Sequence, residues 1–168
     1  EALTIAERLV QAEPGNTTYQ RDLSVSYERL ADLAVAVGQA DEARRLFGES
    51  LTIRERLVQA EPGNTTYQRD LSVSYERLAV DALLTGRQEE ATGLLTMAAE
   101  IRRALHRREP DRVDLVEELA VTLVLLGGLV RHDVRREIGA EIRACLAPFE
   151  VRGILTPKGR GVLDRIDW

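Results

Sequence analysis

Apolar residues recur along the chain at spacings of three and four, and the pattern resets at glycines and prolines. Tyr19, Leu23, Tyr27, Leu30, Ala34 and Val37 form one such stripe, which predicts a helix with a single buried face. Gly38 follows, placed to end that helix as a C-terminal glycine does. A second helix starts near Ala40, with Asp41 and Glu42 in its first turn, where the helix dipole favours negative charge. Its stripe is Ala43, Leu46/Phe47, Ser50/Leu51, Ile53 and Leu57, and it stops before Pro62. At the front of the pair, Pro14-Gly15 suits a tight turn. Thr17 is placed to cap the first helix and Gln20 to complete a capping box.

The same plan returns one period later. Glu7–Ala31 recurs without a change as Glu55–Ala79, an offset of 48 residues. A period of that size marks stacked supersecondary units, each too thin to bury its own apolar face. The second unit predicts helices near 65–85 and 88–108, with Gly86 between them and Pro110 after them. The third is degenerate: Glu118–Gly127 matches Asp70–Ala79, and Asp111 with Asp114 stands in for the threonine cap. Pro148 is expected to end or kink its second helix, and Thr156-Pro157 to open one last short helix. The chain therefore divides into residues 1–12, the end of a preceding second helix, 13–60 as repeat one and 61–108 as repeat two. Residues 109–148 form a degenerate repeat three and 149–168 a C-terminal cap. Because 1–12 match 49–60, the chain is expected to begin in mid-repeat, as a piece of a longer protein.

Counted outward from Gly38, a known signature emerges. Tyr27, Leu30, Ala31, Ala34, Gly38, Ala43, Phe47 and Ser50 stand at tetratricopeptide spacing, with tyrosine in the usual tryptophan place. Unit two supplies Tyr75, Leu78, Ala79, Ala82, Gly86, Ala91, Leu95 and Ala98. Unit three supplies Leu123, Leu126, Gly127, Val130, Val134, Gly139, Arg143 and Ala147, departing at Val134 and Arg143. Over about residues 17–147 the chain thus resembles the tetratricopeptide repeat family. An ordinary unit has about 34 residues, so each unit here is longer by roughly four helical turns, two per helix. That resembles the elongated repeats of kinesin light chains, and bacterial repeats carrying the RDLSVSYERLADLA phrase, which often follow a signalling NTPase or kinase domain. The resemblance implies an all-α, right-handed superhelical solenoid of antiparallel helix pairs, about three repeats plus a terminal capping tail. It also implies a concave surface that binds protein.

In such solenoids the first helix of each pair lines the concave face. The stripe opposite the core there is Arg21, Val25, Glu28 and Asp32 on the first unit, and Arg69, Val73, Glu76 and Val80 on the second. On the third it is Glu117, Val121, Val124 and Gly128, so the face grades from charged to apolar. The family's clamp for a C-terminal carboxylate needs lysine and asparagine where Glu28 and Asp32 stand, which argues against that mode. A mixed apolar and basic peptide suits these positions better. The plainer account is a solvated face, with Glu28 and Asp32 near Arg21 and Arg29 in ion pairs of a few tenths of a kcal/mol. Val121 and Val124 need cover, and the tail (Ile154, Leu155, Val162, Leu163, Ile166 and Trp168) is expected to supply it, with a homodimer contact as the rival.

Composition narrows the chemistry. Hydrophobic residues make up 44% of the 168, enough for a core, while a net charge of −5 gives no global attraction to nucleic acid. One local basic cluster, Arg102, Arg103, His106, Arg107, Arg108 and Arg112, lacks interleaved aromatics and reads as a solvated helix end. The single cysteine, Cys145, lies on an apolar helix face and reads as buried and inert. His106 and His132 have no acidic partner at metal-ligand spacing. Neither Gly127-Gly128 nor the KGRG run at 158–161 follows a strand as a phosphate loop does. The longest apolar run, Leu119–Val130, is short of the roughly 20 residues of a membrane span, and a cytoplasmic location is expected by default. The expected function is a non-catalytic scaffold for protein or peptide binding, with no cofactor and no metal. A regulatory segment of a larger signalling enzyme and a self-assembly module, as a homo-oligomer, are the alternatives.

Overall fold

The computed structural model describes residues 2–166, and Trp168, the last residue of the expected cap, lies outside them. The described residues are all-α, with helices in consecutive pairs: α1 (Ala2–Ala12), α2 (Thr17–Ala36), α3 (Ala40–Ala60), α4 (Thr65–Leu84), α5 (Gln88–Arg108), α6 (Val113–Gly127), α7 (His132–Val151) and α8 (Pro157–Leu163). Contacts group them into two units, one running to Asp81 and one from Ala82 onward.

In the first unit, α2 starts one residue earlier in its logic than the capping box predicts. Asn16 caps it, its side-chain oxygen accepting from the Thr18 and Tyr19 amides at 3.1 and 3.2 Å. Thr17 is the first helical residue, and Gln20 turns back to the Pro14 carbonyl. Asparagine wins because its amide oxygen reaches two orphan N–H groups from an extended backbone. Asn64 repeats the arrangement for α4. At the other end of α2, Gly38 takes φ +78°, and the Gln39 amide donates to the Ala34 carbonyl at 2.8 Å. This left-handed turn closes the orphan carbonyls and is open only to glycine without strain. It leaves Val37 outside the helix as its C-cap, 69% exposed, so the predicted stripe ends at Ala34. The core between α2 and α3 is Ala31, Ala34, Ala43, Leu46 and Phe47, with Tyr27, Leu30 and, from α4, Leu78 packed against it.

In the second unit the period changes. From the start of α5 at Gln88 to the start of α7 at His132 is a step of 44 residues, because α6 ends at Gly127 after 15 residues where α4 has 20. With that step, Ile138, Gly139, Ile142, Leu146 and Phe149 fall where α5 has Leu94, Leu95, Ala98, Arg102 and Leu105, and all ten are buried. The apparent departure of the third repeat at Val134 comes from carrying the 48-residue step through a turn that has lost about one helical turn. In that register Arg143 falls where α5 has the buried Ala99, yet it is exposed and donates to the Ile166 carbonyl at 2.7 Å.

Two other expectations are corrected here. Pro148 neither ends nor interrupts α7, which continues to Val151 and closes on Gly153 at φ +69°. Proline deprives the carbonyl four residues back, on Ala144, of its helical partner, and Ala144 is an exposed residue. The α6 cap position is Arg112, whose side chain makes no cap bond and pairs instead with Asp114 at 2.6 Å.

The tail packs against α6 and α7. Thr156 caps α8, with Pro157 at its first position. Its amide and hydroxyl donate to the two oxygens of Glu117 at 2.8 and 2.7 Å. Leu155, Val162 and Ile166 are buried, while Ile154 stays exposed. Gly159 lies so close that an added Cβ comes within 2.5 Å of Glu117 Oε1. Gly159→Ala therefore loosens the tail despite alanine's helix propensity, by about 1–3 kcal/mol as overpacking typically costs. Amide exchange should speed up across 157–166 and stay unchanged in α2 and α3; equal protection of the tail in both proteins refutes this.

Candidate functional site

The α2–α4 face of the first unit is built on a buried arginine that periodicity did not flag. Arg54 stands four residues after Ser50 and three before Leu57, on the buried side of α3, and its side chain is 2% exposed. A guanidinium out of water needs partners for its donors. It finds them on both flanking helices. Nη1 and Nη2 donate to the two oxygens of Glu28 on α2 at 3.0 and 2.8 Å. Nη1 also reaches the Asp70 carbonyl and the Ser74 hydroxyl on α4, each at 2.9 Å, and Nε the Ser24 hydroxyl at 3.3 Å. Glu28, placed on a solvated stripe by its spacing, is thus the counter-ion of a three-helix clamp.

The neighbouring candidates are paired across the same helices. Arg21 Nε donates to Asp70 at 2.6 Å, and this bond holds the guanidinium charged above its ordinary range. Asp32 meets Arg77 at 3.4 Å, with both side chains about half exposed. Between these ion pairs lie half-buried Val25 and Val73, and beyond them Val80, 39% exposed. Arg69 and Glu76 are half-buried on α4. The structure therefore brings Arg21, Glu28 and Asp32 into contacts tying α2 to its neighbours.

In the second unit, Glu117 is buried and engaged by Thr156, and Val121 and Val124 are half-buried on α6. Arg102, the repeat equivalent of Arg54, is 3% exposed and donates to the Glu118 carbonyl at 3.0 Å and to the Thr122 hydroxyl. It is thus no part of a solvated basic cluster. Arg103 is bound to Glu141 through two bonds at 2.6 and 2.8 Å, and Arg112 to Asp114 and Glu109. Burial lowers the pKa of His106 and raises that of Cys145, which is half-buried. Both shifts favour the neutral form. Among the described residues, no three His, Cys, Asp or Glu side chains are grouped to hold a metal ion. Nor is any helix there long and apolar enough to cross a membrane.

Residues 23–62 match the family model for a tetratricopeptide repeat. That stretch runs from Leu23 on α2 through α3 to Pro62, one helix pair with its clamp arginine. A tetratricopeptide repeat is generally a protein-interaction module. No curated protein matches the chain. Among solved structures, a de novo designed helical repeat protein matches at 11% identity and a TM-score of 0.38, over 98% of this chain and 86% of that one.

The third repeat tests the clamp from within. Ser24 and Ser72 become Ala120, Glu28 and Glu76 become Val124, and the arginine position is Leu146 in the 44-residue register. All the members change together, as expected where one unpaired charge is dearer than none. Accordingly, Arg54→Ala costs about 3 kcal/mol or more by leaving Glu28 without its partner, while the triple change Ser24→Ala, Glu28→Val and Arg54→Leu recovers most of it. Urea melts of the two variants check this, and a triple variant no more stable than the single one refutes it.

Tyr75 donates to Glu55 at 3.1 Å, and burial, with that carboxylate second, pushes its pKa up from 10.0 to about 12. The folded state then holds the phenol proton more tightly than the unfolded one, so this contribution is complete below pH 10 and lost as pH rises toward 12. Phenolate absorbance should show the late-titrating group disappear in Tyr75→Phe; an unchanged titration curve contradicts the assignment.

Proposed function

We propose that the chain is a non-catalytic protein-interaction module that takes a peptide or partner domain on the α2–α4 face. The observation that carries this reading is the state of that face. Its charges are paired with one another, and Val25 and Val73 lie between the pairs. A surface so neutralised offers shape and apolar contact at little desolvation cost, held rigid by the clamp beneath it. A partner with apolar side chains for the valines and a basic one for Asp32 fits best, because the Asp32–Arg77 pair is the longer and more exposed of the three. The reading includes a cytoplasmic setting and needs no cofactor.

The test is capture by the full chain compared with Val25→Asp/Val73→Asp. Both substitutions lie at half-buried surface positions, and unchanged melting verifies the fold. Bound partners should fall by at least tenfold, the size of a lost apolar contact at an interface centre. Identical capture by the two proteins rejects this face. Charge reversal at Glu28 is a poor control, since it breaks the clamp.

A further inference from the structure

Where α1 and α3 both meet α2, the first unit holds a cleft of about 340 Å³. Val10 of α1, Leu23 and Tyr27 of α2 and Ile53 of α3 give it an apolar lining, and its size is that of a small-molecule site. Its two longest uncharged side chains are held by hydrogen bonds rather than free to fold into it. Gln20 donates to the Pro14 carbonyl, and the Tyr27 hydroxyl to Glu7 at 3.3 Å. Glu49 and Arg56 complete the lining, four residues before Ile53 and three after it. That spacing puts all three on one face of α3, with the opposite charges about 10 Å apart along the axis. Arg56 is exposed and makes no hydrogen bond or ion pair with any described residue. Glu49, also exposed, has Arg45 at 3.9 Å, but Arg45 is engaged by Glu42 at 2.7 Å. The helix pair does not need these charges, since α5 carries Met97 and Ala104 at the equivalent positions.

We propose that this cleft binds an elongated zwitterion, a peptide of about three residues with free termini and apolar side chains. The ammonium lies toward Glu49 and the carboxylate toward Arg56, whose planar guanidinium suits a bidentate bond to it. Between them, the apolar side chains cover Ile53, Leu23 and the Tyr27 ring. Length selects the ligand. An extended chain spans at most 3.3–3.6 Å per residue, so three residues reach about 10 Å and meet both charges. A single-charged ligand of the same size leaves either Glu49 or Arg56 facing apolar surface, which disfavours it. The carboxylates next to the lining residues are already engaged: Glu7 accepts from Tyr27, and Glu13 from the Asn16 side chain at 3.1 Å. Apolar contact supplies the bulk of the attraction, and the two exposed charges decide which ends the ligand must carry. The cleft shares no residue with the α2–α4 face and does not rest on that reading.

Titration of the full chain with the tripeptide Val-Leu-Val, followed by backbone amide NMR shifts, tests this. Shifts should concentrate at Leu23, Tyr27 and Ile53. Acetylating the peptide's amine or amidating its carboxylate should each weaken binding about three- to fivefold, the size of a partly exposed ion pair. The losses should be residue-specific. Glu49→Gln should bind the free and acetylated peptides alike, and Arg56→Gln the free and amidated ones. Both substitutions lie at exposed positions, and unchanged melting verifies the fold of each variant. Absence of binding at millimolar peptide, shifts confined to other surfaces, or caps that cost the same in all three proteins each overturn the proposal.

Discussion

The structure of the first unit turns on one guanidinium. Arg54 is carried into the interior by the buried stripe of α3, and burial obliges its neighbours to supply acceptors. Glu28, Ser24, Ser74 and the Asp70 carbonyl meet that need from α2 and α4 at once. Apolar packing alone leaves two long helices free to slide by a turn, since leucine and alanine surfaces repeat every three or four residues. A bidentate bond does not tolerate such a slide, because its two oxygens and two nitrogens coincide in one register only. The clamp therefore sets where α2, α3 and α4 lie along one another, and with that where Arg21 meets Asp70 and Asp32 meets Arg77.

Beyond its buried Arg102, the second unit reaches order by a different chemistry. Its last repeat drops the serine, the glutamate and the arginine together and fills the same positions with Ala120, Val124 and Leu146. It also loses about a helical turn at the Gly127-Gly128 corner. Shortening α6 moves the α7 stripe by four residues, which preserves the buried face because four residues are close to one turn. Glu117, where the earlier units have arginine, then finds its partner in Thr156, and the tail is held by two hydrogen bonds over a glycine too close for a side chain.

Much of this was legible from spacing. Helix limits at Ala40 and at 88–108, the glycine turns at Gly38 and Gly86, the Thr156-Pro157 helix start and the burial of Leu155, Val162 and Ile166 follow from local rules. The candidate face was legible only as a list of positions. Glu28 looked solvated because its stripe is polar, and nothing local to α2 announces an arginine 26 residues away. The Thr17 cap was misassigned because two adjacent residues can each cap, and backbone geometry chooses Asn16. Val134 looked like a lost turn glycine because a fixed period was carried past a shortened turn.

What the sequence by itself determined is the repeat: helical pairs, their turns and their apolar stripes, all encoded by contacts within about four residues. Tertiary structure alone decided which polar side chains are surface and which are framework. The choice between a solvated glutamate and a buried counter-ion depends on the residue that arrives from another helix, and periodicity holds no record of that arrival. For the same reason it took the packed helices to distinguish Asp81, satisfied by Arg44, from Leu33, left open at the same position of a nearly identical unit.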